Sequence, residues 1–340
     1  MDKKPGICGM TPDDMAVFFA GNGIESNYAE VITNNFYRRG IRDFKKMDNV
    51  PLSVRHRLSS LLTNGLFDPA DHYNSSDGTV KYLFRSYDGK EFEAVLIPDG
   101  KRMTVCVSTQ AGCRMGCPFC LTGSSGFRGN LSSGEILNQV LSLPIEAPVS
   151  HIVFMGMGEP LDNIDEVLKA CNILTSQWGL AISPRNITVS TVGLAEGVKR
   201  FLNESDCNLT LSLFSPFPDE RASVVPAEKL NPAGNIIGLM RAYRLRKKRR
   251  FTVAYVMISG LNDTDRHLHE LSALLKGTSI RVNLLPYHQT GLEKYCSSDI
   301  SKMNHFRQGL FLSGIYASVR RSRGADISAA CGLLASGLKK

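Results

Sequence analysis

No run of about 18 apolar residues occurs anywhere in the chain, so no stretch reads as a membrane-spanning helix. The first residues, MDKKPGICGMTPDD, lack the apolar core of a secretory leader. A soluble, cytoplasmic protein without a membrane partner is therefore expected. The nine cysteines are an odd number in no evident pairing framework, which argues against a disulfide-stapled secreted scaffold. There is no low-complexity segment and no repeat of fixed period, which excludes a solenoid. Also missing is a second C-x-x-C or H-x3–5-H pair, the usual complement of a zinc knuckle.

What is present is a chain of 340 residues, 43% hydrophobic and 21% charged, able to bury a sizeable core. Its formal net charge of +8 favours an anionic partner, most simply a nucleic acid.

The densest chemical signal is GCRMGCPFC, in which Cys113, Cys117 and Cys120 fall in a C-x3-C-x2-C spacing. Gly112 and Gly116 let the backbone turn tightly, so the three thiols can face one centre. A cubane iron–sulfur cluster normally takes four thiolates. A loop that supplies three leaves one iron open to a small chelating ligand, and the amino and carboxylate groups of S-adenosylmethionine suit it. The alternative is a zinc knuckle on Cys117 and Cys120, which lacks its second pair.

Around this loop the periodicities order the chain. Residues 11–66 read as three short helices, with Thr11 capping the first and the basic segment RRGIRDFKKM between the second and third. That segment suits phosphate contact or a solvated face equally. From 79 to 98 the period becomes two, and the Asp88-Gly89 turn predicts a hairpin. Strands are then expected over 104–108, 151–155, 186–190, 208–213, 251–257, 281–286 and 316–320. Helices alternate with them over 132–143, 162–177, 194–202, 233–246, 263–276 and 299–313. Such β-α units imply an α/β fold, a parallel sheet with helices outside. The chemistry of such sheets sits where strands run into their following loops, and the cysteine loop follows the first of these strands. The second runs into GMGEP, where Gly158 brings backbone close to a ligand and Glu159 offers a carboxylate to an ammonium.

CVSTQAGCRMGCPFC, FMGMGEPLDN, ITVSTVG, VVPAEK and RGADISAACG together resemble the RlmN/Cfr family of radical S-adenosylmethionine RNA-adenosine methyltransferases, and the resemblance runs nearly the whole chain. It implies a partial (β/α)6 barrel over 104–320, a helical RNA-binding accessory domain over 1–66, a connecting β-hairpin segment over 67–103 and a C-terminal loop over 321–340. The implied cofactors are a [4Fe-4S] cluster on Cys113, Cys117 and Cys120, and S-adenosylmethionine, two per turnover.

The same resemblance makes Cys331 the thiolate that takes a methyl group from one S-adenosylmethionine. A radical derived from the second molecule removes a hydrogen from that methyl, and the methylene adds to an adenine carbon. Cys106 then resolves the covalent adduct by forming a disulfide with Cys331. Glu93 matches the family's proton acceptor, with a solvent-facing strand carboxylate as the alternative. Gly158, Glu159, Ser190, Ser212 and Leu213 match cofactor contacts. Phe214 stands where most members have His, so that only a backbone contact survives, and His288 stands where many have Asn.

The implied reaction is methylation at C2 of an adenosine in the peptidyl-transferase centre of 23S rRNA, and of an adenosine in the tRNA anticodon loop. C8 methylation of the same rRNA adenosine is the runner-up, and an RNA-binding protein with a non-catalytic cluster is the reading from another class. A flavodoxin-like electron donor and a monomeric state are expected. Arg320, Arg321 and Arg323 could hold phosphates, and the run RLRKKRR over 244–250 favours nucleic-acid contact. Cys8, Cys171, Cys207 and Cys296 match nothing and read as buried structural thiols.

Overall fold

Thr11 starts the first helix, α1 (Pro12–Gly21), through a reciprocal box: its hydroxyl accepts the Asp14 N–H while the Asp14 carboxylate accepts its own N–H. Two further helices follow, α2 (Ala29–Tyr37) and α3 (Leu52–Leu61). They bury Met15, Phe19, Ile32, Phe36 and Leu58, which join one apolar cluster with the sheet beyond. The Tyr37 hydroxyl accepts the Gly9 N–H at 2.8 Å and so ties down the N-terminal stretch. In this computed structural model, residues 4–243, 249–290 and 295–335 are described.

The expected hairpin is β2 (Val80–Arg85) and β3 (Glu91–Asp99), preceded by a short strand, β1 (Asp71–Asn74). β1 is exposed at every position, and its four polar or amphipathic residues carry no alternation by which to recognise it. β3 pairs antiparallel with β4 (Arg102–Cys106), placing Val95 opposite Cys106. β4 starts two residues earlier than its apolar pattern suggests, because that ladder extends to Asp99 and Arg102.

The chain then crosses a small hairpin, β5 (Gln110–Gly112), the turn-length α4 (Leu121–Ser124) and β6 (Phe127–Asn130). From there strand and helix alternate: α5 (Ser133–Leu141), β7 (His151–Phe154), α6 (Ile164–Thr175), β8 (Ile187–Thr191), α7 (Ala195–Glu204) and β9 (Asn208–Ser212). After β9 come α8 (Pro218–Val224) and α9 (Ala233–Ala242), then β10 (Phe251–Met257), α10 (Asp265–Leu275), β11 (Arg281–Pro286), α11 (Ile300–Leu312) and β12 (Ala317–Val319). The stretch 233–246 was expected to be one helix; α9 ends at Ala242, and 244–248 lie outside the described residues. α8 had not been expected.

One ten-stranded sheet runs in the order β1-β2-β3-β4-β7-β8-β9-β10-β11-β12. Every pairing from β4 to β12 is parallel, which makes six β-α units and a seventh strand. The sheet does not close on itself, and the architecture is an α/β partial barrel with an antiparallel extension at one edge. β10 shows how the core forms, since Phe251, Val253, Tyr255 and Met257 are buried on alternate positions. Burying a side chain such as Phe154 or Phe201 contributes about 1.5–3 kcal/mol. The carboxyl ends of these strands converge on one cavity.

Candidate active site

The β5–β6 hairpin frames the cysteine loop. Gly112 pairs with Phe127, and the Cys113 N–H donates to the Gly126 carbonyl at 3.0 Å, closing the loop at its base. Gly112 has φ +80°, and a β-carbon there would collide with the Gly126 carbonyl, so no other residue fits. Inside the loop, the Met115 N–H points at the Cys113 sulfur at 3.5 Å, and the Cys120 N–H bonds the Cys117 carbonyl. All three cysteines line a cavity of ≈ 310 Å³. Burial pushes the Cys113 and Cys117 thiols up to about 12, so thiolates here need a cationic centre beside them. Three thiols from one tight loop, with an amide N–H turned toward one sulfur, fit a cluster bound through three of its irons.

β7 delivers GMGEP to the same cavity. Gly158 has φ +96°, and a β-carbon would lie 2.5 Å from that of Gln110, so the backbone can approach a ligand only as glycine. Glu159 is buried; its carboxylate accepts the N–H groups of Leu161 and Val192, both at 2.9 Å. Burial raises its pKa to about 7 against those hydrogen bonds, so the carboxylate lacks a cationic partner, which an incoming ammonium would supply.

Ser190 and Ser212, at the ends of β8 and β9, lie 3.3 Å apart through their hydroxyls and open on the cavity. Leu213 does not line it: its side chain is fully buried in the barrel core. Phe214 takes a left-handed backbone, φ +68°, and stacks on Phe119 of the cysteine loop with ring centroids 5.5 Å apart. The Phe214 carbonyl accepts the Asn262 side-chain amide at 2.7 Å, so its backbone is already engaged. His288 lines the cavity beside Ser322, 3.1 Å away, and partial burial lowers its pKa, favouring the neutral ring.

Cys106, at the end of β4, and Cys331, in the C-terminal loop, both open on this cavity. Cys331 is exposed by area, yet its sulfur lies deep enough for desolvation to raise its pKa, against the lowering pull of Arg320. Cys106 is raised further, by burial first and then by the nearby Cys331. The Cys331 segment docks onto α4: the Leu121 N–H bonds the Gly332 carbonyl at 2.9 Å and the Thr122 hydroxyl bonds that of Leu334 at 2.6 Å. Glu93 is neither in the cavity lining nor facing solvent. It is buried between Lys81 and the Ala335 N–H, and burial raises its pKa while Lys81 opposes.

Arg320, Arg321 and Arg323 line the mouth of the cavity. Their loop is clasped by the β1–β2 turn. Asp326 accepts the Ser75 hydroxyl at 2.6 Å and the Ser76 N–H at 3.1 Å, while Asp77 accepts the Gly324 N–H at 3.0 Å.

Two basic readings are narrowed residue by residue. In the run 244–250, residues 244–248 lie outside the described residues, but Arg249 is buried. Its guanidinium donates to the Ser205 and Leu202 carbonyls at 2.8 and 3.2 Å, capping the end of α7, and packs near the rings of Phe201, Tyr243 and Phe251. It faces no nucleic acid. In RRGIRDFKKM, Arg42 donates to the Phe36 carbonyl and lies over the Phe36 ring, whereas Lys45 and Lys46 remain exposed. Cys296 is exposed rather than buried, while Cys171 and Cys207 are buried as expected.

Sequence reasoning missed Arg221, the largest fully buried side chain. On α8, it pairs with Glu228 and donates to the Leu213, Ser212 and Val192 carbonyls at 2.8, 3.0 and 2.6 Å. It thus locks together the ends of β8 and β9 that carry the cavity-lining Ser190 and Ser212. Its surroundings, PFPDERAS, read as a polar surface turn and give no signal of this; VVPAEK, which holds Glu228, was noticed for another reason.

Residues 107–275 match the model of the Radical SAM superfamily. A protein from Parabacteroides distasonis named a probable dual-specificity RNA methyltransferase RlmN is 42% identical over 336 residues, covering 99% of this chain and 98% of its own. The dual-specificity RNA methyltransferase RlmN of Halorhodospira halophila is 38% identical, over 96% of this chain and 92% of its own. Among solved structures, a radical SAM methyltransferase from Sphaerobacter thermophilus superposes with a TM-score of 0.88 at 37% identity, covering 97% of this chain and 99% of that one. With the cysteine loop, GMGEP and both further cysteines gathered on one cavity, the chain belongs to the RlmN family of radical S-adenosylmethionine RNA methyltransferases, which use a [4Fe-4S] cluster and S-adenosylmethionine.

Proposed function

We propose that this enzyme methylates C2 of an adenosine in the peptidyl-transferase centre of 23S rRNA, and of an adenosine in the tRNA anticodon loop, with Cys331 as methyl carrier. The observation that carries this reading is the meeting of Cys331 and Cys106 with Cys113, Cys117 and Cys120 on one cavity. A simple RNA binder needs no such pair of thiols beside a cluster loop.

The residues divide the work. Cys113, Cys117 and Cys120 would hold the cluster, and Glu159 would meet the ammonium of S-adenosylmethionine, with Gly158, Ser190, Ser212 and His288 lining the same cavity. When bound, the cluster would supply one electron to S-adenosylmethionine, and the chemistry gained would be a carbon radical able to take hydrogen from a methyl group. Cys331 accepts its methyl from a separate S-adenosylmethionine by displacement at the sulfonium, the task of a soft nucleophile. Arg320 beside it favours the thiolate this requires. Cys331 then presents the activated carbon to the adenine ring and stays bonded to it. Loss of one electron, which the oxidised cluster would take back, and of the ring proton, with Glu93 behind the cavity lining as its final acceptor, precedes attack by Cys106 on the Cys331 sulfur. The carbon–sulfur bond breaks as the disulfide forms, and the freed carbon takes a proton. The new disulfide releases the methylated base, and its reduction resets both thiols.

RNA is held by Arg320, Arg321 and Arg323 at the cavity mouth, and by residues 1–66 through Lys45 and Lys46. The remaining boundaries are 67–103 for the connecting segment, 104–320 for the barrel and 321–340 for the carrier loop. A flavodoxin-like donor suits the net charge of +8.

The test is mass spectrometry of rRNA and tRNA fragments after incubation with the reconstituted enzyme and a reductant. A new methyl on adenine C2 is expected. A methyl on C8, or none on either RNA, overturns the assignment.

A further inference from the structure

One row of residues crosses four strands at the edge of the barrel. Tyr73 on β1 stands opposite Lys81 on β2, Lys81 opposite Val95 on β3, and Val95 opposite Cys106 on β4. Glu93 precedes Val95 by two positions, so it shares the face of the sheet that carries Cys106. Lys81 lies 3.3 Å from one Glu93 oxygen, with side-chain exposures of only 12% and 6%, and its ammonium stands over the Tyr73 ring at 5.3 Å. The other Glu93 oxygen accepts the Ala335 N–H at 3.0 Å, in a buried contact spanning most of the chain. Ala335 is four residues beyond Cys331. The segment is thus held by α4 at Gly332 and Leu334 and, one residue further on, by a carboxylate paired with Lys81.

We propose that Lys81 is a positioning residue, and that the Lys81–Glu93 pair is a proton-operated latch on the Cys331 segment. With Glu93 ionised, Lys81 holds the carboxylate in place and the Ala335 N–H makes a charge-assisted hydrogen bond to it, which docks the segment. When Glu93 gains a proton, the ion pair is lost, the hydrogen bond weakens and the Ala335 end of the segment loosens, while the α4 bonds to Gly332 and Leu334 remain.

The device has a use if Cys331 is a methyl carrier, and to that extent it rests on the function proposed above. Such a thiol must serve a methyl donor, an adenine and Cys106 in turn. A latch that opens on proton uptake would loosen the segment beyond Cys331 once the adduct has given up its ring proton, giving the thiol room to move between its partners.

Burial raises the pKa of Glu93 and Lys81 lowers it, so the latch is closed above that pKa and opens as pH falls through it. The charged and titratable groups facing Glu93 are Lys81 and, at longer range, Tyr73, whose own pKa is raised mainly by Asp71. Removing Lys81 takes away the ammonium that favours the carboxylate and moves the opening to higher pH.

The experiment is amide hydrogen exchange of the segment 326–335 in the anaerobic, cluster-loaded, full-length protein from pH 5 to 9, corrected for intrinsic exchange. Wild type should show one pH step, with faster exchange on the acid side. Lys81→Met should move the step upward and exchange about tenfold faster at pH 7, the scale of a lost charge-assisted hydrogen bond. Lys81→Arg should restore protection, and Glu93→Gln should abolish the step. Cys331→Ala should keep the wild-type step, because the latch needs no turnover; failure of the carrier chemistry would therefore leave this result untouched. A wild type without a step overturns the proposal even if the variants fold poorly. So does a Lys81→Met protein with the wild-type profile.

Discussion

The Thr122 hydroxyl donates to the Leu334 carbonyl at 2.6 Å, joining the residue two places beyond the last cluster cysteine to the segment that carries Cys331. The neighbouring Leu121 N–H binds the Gly332 carbonyl in parallel. The cluster loop and the carrier segment are therefore one hydrogen-bonded unit, although 212 positions separate Thr122 from Leu334.

Replacing Thr122 by Val keeps the shape and removes the donor. The buried Leu334 carbonyl then loses its partner, at a cost of about 1–3 kcal/mol to docking. Iron content should stay at the wild-type level while methylation of Cys331 slows. Equal loss of iron and of methylation would mean that Thr122 serves only to fold the loop.

Arg249 and the arginines at the cavity mouth should separate cleanly. Arg249→Ala leaves the last carbonyls of α7 without their cap and opens space among three aromatic rings, so it should destabilise the fold by roughly 2–4 kcal/mol. The slope of log RNA affinity against log salt should not change. Neutralising Arg320, Arg321 and Arg323 together should flatten that slope and leave the melting temperature near wild type. The opposite pattern would return Arg249 to the RNA surface.

Acid should loosen the clasp between the β1–β2 turn and the C-terminal loop. Burial opposes the charge of Asp77, but hydrogen bonds from Thr79 and Gly324 outweigh it and hold the carboxyl below its usual range. Ser75 and Ser76 do the same for Asp326. A depressed carboxylate contributes stability that is fully present above its unfolded pKa, near about 4, and is lost as pH falls through the folded value. The gap in melting temperature between wild type and Asp326→Asn should thus be steady from pH 7 to 5 and shrink toward pH 3, measured on cluster-free protein. A gap that widens with acid would contradict the sign.

How much of this the sequence disclosed follows from how local each feature is. The loop cysteines and GMGEP are legible because their chemistry demands short spacings, and the parallel strands because apolar residues recur at alternate positions, as in ITVST and NLTLS. Cys331 and Cys106 carry no local signal; only resemblance singled them out, and the fold brings them together. Arg221 was invisible because its role arises where two strand ends meet a third element, while its neighbours are polar. Arg249 was misread for the converse reason: six basic residues in seven suggest a solvated or nucleic-acid face, yet Phe201, Tyr243 and Phe251 surround one of them. Glu93 looked like either a base or a surface carboxylate, and its contact with Ala335 comes from 242 positions away.

The central claim, that Cys331 carries the methyl and Cys106 resolves the adduct, is tested most directly by comparing two alanine variants on a denaturing gel with labelled RNA. Both should keep the brown cluster, since neither residue belongs to the C-x3-C-x2-C loop. Cys331→Ala has no sulfur to load and should form no methylated protein and no protein–RNA species. Cys106→Ala can still load, react and add to adenine, but cannot form the releasing disulfide, so a covalent protein–RNA band should accumulate. Normal turnover by Cys106→Ala, or a cross-link formed by Cys331→Ala, would contradict the account.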